Sequence, residues 1–600
     1  MWHVLQHNQI NKHQGLIVNR LPKLKPLLLS AALSLTLCYP AFYSTTSYAN
    51  DISIFSEMAT AQPIYAKHGM VSSQEAIASQ IGADILKQGG NAVDAAVAVG
   101  YALAVTLPRA GNIGGGGFML VHLAEQKKTI AIDYRETAPG KAHKDIFLDE
   151  HGNAVNKLSR EHGLAVGVPG TVMGMELALT KYGTMSLRQV IAPAISLAKD
   201  GIVVTSDLSN SLSGLKSRIA QWPSSAKIFY RPDGSDFQVN DILKQPELAH
   251  SLSLIAEKGS QGFYHGETAK KIVTAVQDAG GVMSLEDLAN YKVVEREPVR
   301  GTYRGYEIVS MPPPSSGGIH IIEMLNVLEK FPIDQLGHNT ANTLHLMAET
   351  MKYAYADRSE FLGDPDFVNV PVKQLISREY ASTIADKIAI NKTTPSSEIK
   401  PGNLAGYESD QTTHYSVVDQ WGNAVANTYT LNFSYGSGLV AEGTGILLNN
   451  EMDDFSVKPG TPNGYGLIGG DANAVQGNKR PLSSMSPTIV MKDGKPFLVT
   501  GSPGGSRIIN ITLQIIMNVI DHKLNIAEAT AAARIHHQWQ PDFIWAEHTL
   551  NRDTISLLEA KGHQVKTQES IGSTQSIMVT EQGLFGASDP RRAGSAAVGH

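Results

Sequence analysis

The spacing of apolar positions along this 600-residue chain changes repeatedly, and each change marks an element. After Ser72-Ser73-Gln74-Glu75, which has capping-box spacing, the pattern is helical until Gly89-Gly90. A second helix is predicted from Asn91 to about Leu107. Its Ala and Val content, with Asp94 inside it, predicts a buried core helix and not a membrane span. The period then drops to two. Gly114-Gly115-Gly116-Gly117 leads into an apolar run ending at Leu123 and, past a polar turn, into a second run ending at Asp133, which predicts a β-hairpin. Residues 180–390 are mostly helical by pattern, interrupted between Trp222 and Asp236 and by the Pro-Gly-rich run Met311-Pro312-Pro313-Pro314-Ser315-Ser316-Gly317-Gly318.

From Thr413 to Asp419 and again from Ala424 to Thr430 the residues are β-branched and aromatic, with Gln420-Trp421-Gly422-Asn423 as the turn between them. If Asp419 pairs with Ala424, Thr412 lies opposite Leu431 and beside Thr430. Further on come a strand ending at Thr500, the tight loop Gly501-Ser502-Pro503-Gly504-Gly505-Ser506, a helix from Ile508 to Asp521, and another from Asn525 to Ala533. Hairpins interspersed with long helices predict an α/β (α+β) architecture in which sheets lie between helical layers, not a doubly wound alternation.

Composition adds an address. With 42% hydrophobic and 18% charged residues the chain is ordinary for a folded protein. Residues 1–49, however, hold Arg20, Lys23 and Lys25, an apolar run from Leu27 to Leu37, and the ending Ser47-Tyr48-Ala49, the organisation of a secretory signal peptide. The run is shorter than a spanning helix needs, and the residue before Cys38 is Leu37 where a lipoprotein signal wants a small side chain, so no membrane or lipid anchor is expected. Without these residues the chain has 46 basic against 56 acidic side chains, a balance of −10, which disfavours nucleic acid as a partner. It also has no cysteine, hence no disulfide and no thiol chemistry, and the expected location is the periplasm or exterior of a bacterium.

The common catalytic signatures are absent: no G-x-S-x-G elbow, H-E-x-x-H pair, P-loop or EF-hand loop occurs. Gly114 to Gly117 precede a strand instead of opening a helix, which favours tight packing over a nucleotide loop. His536-His537 are taken as adjacent helix positions, which diverge, so no metal and no cofactor is expected. What remains is the hydroxyl-rich start of the hairpin, Thr412-Thr413-His414-Tyr415-Ser416, preceded by the polar run ending at Asp410-Gln411. On pattern alone it is a strand.

Thr412-Thr413-His414-Tyr415-Ser416-Val417-Val418, then Gly422-Asn423-Ala424-Val425-Ala426, then Thr428-Tyr429-Thr430-Leu431-Asn432, resembles the signature of the γ-glutamyltransferases. Asp133-Tyr134-Arg135-Glu136, Asn449-Asn450-Glu451-Met452-Asp453-Asp454-Phe455, Pro481-Leu482-Ser483-Ser484-Met485-Ser486 and Gly501 to Arg507 resemble further segments of the same family. The resemblance implies a four-layer αββα N-terminal nucleophile hydrolase sandwich, built jointly by a large subunit (about 50–411) and a small one (412–600) after self-cleavage between Gln411 and Thr412. The two would remain a heterodimer.

The same resemblance implies roles. Thr412 would be the nucleophile and Thr430 its hydrogen-bonding support, while Gly504 and Gly505 would supply oxyanion donors. Without it, that glycine loop is equally a structural turn or a phosphate cradle. Arg135, Ser483 and Ser484 would hold the α-carboxylate of a γ-glutamyl substrate; Asn432, Glu451 and Asp454 would hold its α-ammonium. Tyr465 would tip a lid loop. The implied substrates are glutathione and other γ-glutamyl compounds, with water, amino acids or peptides as acceptors. A cephalosporin acylase or a γ-polyglutamate enzyme of the same architecture, or an exported solute-binding protein, are the competing readings.

Overall fold

Two seven-stranded sheets lie face to face, and helices cover the outer face of each. The computed structural model describes residues 59–400, 412–458, 463–464, 467 and 469–600. The expected signal peptide, the bond between Gln411 and Thr412, and Tyr465 lie outside the described residues.

One sheet runs, in spatial order, Ala596–Gly599, Met70–Ser73, Thr413–Val418, Ala424–Thr430, Gly116–Leu123, Lys128–Tyr134 and Val294–Arg296. The other runs Ile64–Ala66, Gly583–Ser588, Gln575–Thr580, Lys495–Thr500, Thr488–Lys492, Tyr306–Ser310 and Val299–Tyr303. Neighbouring strands in both are antiparallel.

Three apolar layers follow from strand alternation. Met119 and Val121 pack with the first sheet's covering helices, Ala76–Lys87 and Ala92–Thr106. Phe118 and Leu120, one residue out of phase, join Val309, Ile489, Val499 and Ile577 of the second sheet. That sheet's other face packs Ile308, Val490 and Leu498 against the helices Gly317–Leu328, Ala341–Phe361 and Ile508–Ile520. At about 25 cal/mol per Å² of apolar area, these layers are the main source of stability. The helix Ala92–Thr106 is buried along its whole length, as its sequence predicts, and opens with a capping box between Asn91 and Asp94.

Some expectations need correcting. Met70–Ser73 is a strand, so no capping box starts at Ser72; Glu75 caps the helix Ala76–Lys87 instead, its carboxylate accepting from the backbone N–H groups of Ile77 and Ala78. The interruption between Trp222 and Asp236 contains the helix Pro223–Phe229, with proline in its first turn. The helix after Asn525 spans only Ile526–Ala531. His536 belongs to the short strand Ile535–His536 and not to a helix.

Candidate active site

The hairpin of Thr413–Val418 and Ala424–Thr430 is buried on both faces. Tyr415, Val417, Val425 and Tyr429 face the helices, and Val418, Ala424 and Ala426 face the other sheet. Alternation therefore points Thr412, His414 and Ser416 into the space between the sheets, together with Thr428 and Thr430. Two bonds agree: His414 Nδ1 meets Thr428 Oγ1 at 2.8 Å, and Ser416 Oγ donates to the Gln575 carbonyl of the opposite sheet at 2.9 Å. Burial holds His414 well below the usual imidazole range, at about 3, so the ring is neutral.

Register differs by one residue from the sequence expectation. Val418 pairs with Ala424 and Thr413 with Tyr429, which sets Thr412 opposite Thr430 and not Leu431. The cause is Asp419. Its Oδ1 accepts from the backbone N–H groups of Trp421 and Asn423, each at 2.9 Å, and its Oδ2 from the Asn423 side chain at 2.8 Å, closing a five-residue loop. The same Oδ2 accepts from the Ala92 N–H at 2.9 Å, tying the loop to a helix N-terminus.

This register brings two hydroxyls together: Thr412 Oγ1 donates to Thr430 Oγ1 at 3.4 Å. Thr430 Oγ1 is held in turn by the Asn432 N–H at 2.8 Å. Asn432 has φ +74°, a left-handed conformation that Asn tolerates, and its amide donates to the Asn450 carbonyl at 3.0 Å. Gly115 runs so close behind Thr430 that a Cβ there would lie 2.0 Å from the Thr430 carbonyl oxygen. This accounts for the glycine run as tight packing.

Beside the threonine pair lies a buried charge cluster. Arg135, fully buried after the strand Lys128–Tyr134, forms ion pairs with Glu451 and Asp454 at the two ends of the 3-10 turn Glu451–Asp454. Glu136 Oε2 lies 3.7 Å from the same guanidinium. Burial pushes all three carboxyls up, Glu136 to about 8. The sequence reading sets the arginine and the acids at opposite ends of a ligand; here they touch. Desolvated charges pair with one another when nothing lies between them.

Ser483 and Ser484 form the next wall. Backbone bonds of 2.8 Å from Ser316 N to the Ser483 carbonyl and from Ser483 N to the Pro314 carbonyl dock them on the proline-rich loop. Gly504 and Gly505 adopt φ +138° and +54°, open to glycine at little cost, and lead through the 3-10 turn Gly505–Arg507 into the helix Ile508–Ile520. Their backbone thus sits at a helix start, where N–H groups and the dipole favour an anion.

One cavity gathers nearly all these residues. Arg135, Glu451, Asp454, Ser483 and Ser484 line it, as do Thr412, Thr430, Asn432 and Gly505. Gly504 is adjacent to the lining and not part of it. The sequence reading missed Arg358, which also lines the cavity. It lies in the last turn of the helix Ala341–Phe361, 126 residues from the Ser484 it touches, and no motif marks it.

His536 and His537 are not gathered into a metal-binding group. Among the described residues, His345, Glu349 and His563 have side chains grouped as metal ligands would be. Their donor atoms already have partners: His345 Nδ1 meets His563 Nε2 at 2.8 Å, and Lys352 Nζ lies 2.8 Å from Glu349 Oε1. The cation of that cluster is Lys352.

A family model described as gamma-glutamyltranspeptidase matches residues 78–599. The chain is 58% identical over 539 residues to a glutathione hydrolase proenzyme of Escherichia coli, covering 90% of this chain and 93% of the relative. A cephalosporin acylase from Bacillus halodurans superposes with a TM-score of 0.77 at 28% identity, over 91% of this chain and 98% of that one. A Helicobacter pylori gamma-glutamyltranspeptidase structure is 50% identical with a TM-score of 0.54, over 54% of this chain and 93% of that one. With matches over nearly its whole length and an αββα sandwich, the chain belongs to the gamma-glutamyltranspeptidase family.

Proposed function

We propose that the protein is a γ-glutamyltransferase and glutathione hydrolase that cleaves itself between Gln411 and Thr412 and uses Thr412 as the nucleophile. Residues 1–49 direct export to the periplasm or exterior. Residues 50–411 and 412–600 remain together as a large and a small subunit, and no cofactor takes part. The observation that carries this reading is the single cavity in which the Thr412–Thr430 hydroxyl pair adjoins the Arg135–Glu451–Asp454 cluster.

A threonine hydroxyl needs a base. Cleavage turns the Thr412 amide nitrogen into an α-amine of pKa ~8, at fixed distance from its own Oγ1. Thr412 Oγ1 attacks the γ-carbonyl carbon while that amine takes its proton, and the carbonyl oxygen becomes an oxyanion facing the Gly504 and Gly505 backbone N–H groups. The C–N bond then breaks, the proton passes to the departing amine, and a Thr412 ester remains. Water or an acceptor amine attacks the ester carbon and loses its proton to the same α-amine; the bond from that carbon to Oγ1 breaks, the amine returns the proton to Thr412 Oγ1, and glutamate or a new γ-glutamyl compound leaves.

The charge cluster supports the substrate class. Around one guanidinium stand three carboxyls that burial pushes toward the neutral form, and an α-ammonium received by Glu451, Asp454 and Asn432 supplies the positive charge that favours their ionised form. The α-carboxylate faces Arg135, Ser483 and Ser484. A glutaryl side chain, as a cephalosporin acylase would take, lacks the ammonium and would leave the acids uncompensated.

Intact mass of the wild type and of Thr412→Ala, alongside amine release from a γ-glutamyl anilide, tests the proposal. It expects two wild-type fragments, the smaller starting at Thr412, with activity, and one silent uncut variant chain. A single wild-type chain that releases nothing sinks the enzyme reading and leaves the solute-binding one.

A further inference from the structure

The glycine loop does not fix its own shape. Gly504 and Gly505 carry no Cβ and sit at φ +138° and +54°, so their peptide groups have wide freedom to turn. An oxyanion donor is effective only if it is aimed before charge develops. Groups outside the two glycines must therefore hold them.

Two peptide planes lead from the loop to a helix behind it. The Gly504 carbonyl and the Gly505 N–H belong to one planar peptide group, and the Ser506 carbonyl and the Arg507 N–H belong to another. The planes are joined, because the Arg507 N–H donates to the Gly504 carbonyl at 3.0 Å. The far plane is held from the helix Ala341–Phe361, where the buried Tyr355 hydroxyl donates to the Ser506 carbonyl. The Tyr355 O–H, the Arg507 N–H and the Gly505 N–H thus form one directed chain, in which each bond polarises the next.

Ser506 is braced on a second side. Its Oγ donates to Gln538 Oε1 at 3.2 Å, and the same oxygen meets His536 Nε2 at 3.1 Å. Asn510 Nδ2 donates to the His537 carbonyl at 2.9 Å and lies 2.7 Å from His536 Nδ1. Nδ1 therefore accepts, and Nε2 carries the proton that Gln538 receives. One of the two histidines prominent in the sequence steadies this turn.

We infer that Tyr355 is a positioning residue for the oxyanion donor Gly505, acting through the peptide group of Ser506 and Arg507. This deepens the γ-glutamyl reading above and rests on it.

The test uses the full chain as wild type, as Tyr355→Phe, which removes only the hydroxyl, and as Tyr355→Leu, which also removes the ring. With a γ-glutamyl anilide, Tyr355→Phe should lower kcat about 5- to 30-fold, less than the loss of an oxyanion donor itself, and leave KM within about twofold. Two inhibitors locate the effect. Norvaline has the α-groups of glutamate and no oxygen at its far end. The glutamate analogue with a boronic acid in place of the γ-carboxyl takes the Thr412 oxygen onto its trigonal boron while the hydroxyl proton moves to the α-amine, which leaves a tetrahedral boronate anion at the oxyanion position. Tyr355→Phe should weaken the boronate by about the same factor as kcat, and norvaline by less than about twofold. A ring that only packs predicts that phenylalanine restores whatever leucine loses. A Tyr355→Phe enzyme with kcat within about twofold of wild type, or with equal losses for the two inhibitors, would overturn the assignment. Hydrogen exchange of the segment 501–510 in a Thr412→Ala background tests the same link without any cut. Adding Tyr355→Phe should speed exchange about 10-fold in that segment alone, and unchanged exchange would also overturn it. If the wild type releases no amine and binds no boronate while exchange responds, the enzyme reading fails and the link from Tyr355 to the loop stands; normal release with unresponsive exchange means the reverse.

Discussion

Thr430→Val isolates the support given to the nucleophile, because valine keeps the β-branched shape and strand preference of threonine while removing one oxygen. Three contacts disappear: the 3.4 Å bond from Thr412 Oγ1, the 2.8 Å bond from the Asn432 N–H, and the 3.4 Å bond that Thr430 Oγ1 donates to the Asn432 carbonyl. The second leaves a buried backbone donor without its acceptor, which costs about 1–3 kcal/mol. For a chain of this length that is a fall in melting temperature of roughly 1–3 °C. The first contact is long in the uncut chain; as the Thr412 oxygen loses its proton the bond reverses, Thr430 Oγ1 becoming the donor, and shortens, so its loss should appear in kcat, by about 10- to 100-fold. The assay is release of a chromogenic amine from a γ-glutamyl anilide, with a gel to count fragments and Thr430→Ser as the control that restores a hydroxyl. A Thr430→Val enzyme that is cut normally and keeps kcat within twofold of wild type would refute the argument that the opposed hydroxyls act as a pair.

Further outcomes follow from other residues. Gly504→Ala places a side chain at φ +138°, which costs about 1–3 kcal/mol in strain and swings the oxyanion donor, so kcat should fall about 100-fold or more with KM little changed; steady-state kinetics check this. Asp454→Asn removes a carboxylate from the Arg135 pair, and KM for a γ-glutamyl donor should rise roughly 10- to 100-fold while a glutaryl donor gains relative to it; equal effects on both donors would count against an ammonium site. Melting temperature should peak between about pH 5 and 7. Burial raises Glu136, Glu323 and Asp357 to about 8, and the stability that they contribute is complete below the ordinary carboxyl range and is lost as pH rises through 8. It also depresses His320 and His414 to about 3 and His563 to about 2; their contribution is complete above about 6.5 and is lost as pH falls from there. A melting temperature still climbing at pH 9 would contradict the first half.

Where local chemistry decided structure, the sequence was informative. The buried helix Ala92–Thr106, the hairpin at 116–134 and the strand–glycine–helix unit around Gly504 each follow from period and turn residues that act within a few positions. The register of the Thr412 hairpin did not, because Asp419 sets it through a side-chain-closed loop, and a count of turn residues carries no trace of where a carboxylate points. His536 failed for a related reason: a two-residue strand is fixed by pairing with Trp545 and not by its own period. At the site, the residues in motifs were legible through resemblance. Their mutual contact was not, since pairing Arg135 with Glu451 depends on desolvation produced by segments 316 positions apart. Arg358 was hidden likewise, 126 positions from the serine it touches.

The strand that begins after Thr412 is stitched between Met70–Ser73 on one side and Ala424–Thr430 on the other, and the latter pairs onward with Gly116–Leu123. A cut at Gln411–Thr412 therefore divides the polypeptide and leaves the sheet undivided, so its hydrogen bonds and apolar layers join the two pieces in place of the lost peptide bond. Reversibility is what changes. The uncut chain refolds in a first-order process, while a cleaved and unfolded molecule must find its complementary half, interleave strands with it, and do so at a rate that falls with dilution. Such a cut would make recovery from unfolding a bimolecular event, so that the lifetime of the cut protein would be set by how slowly it first comes apart.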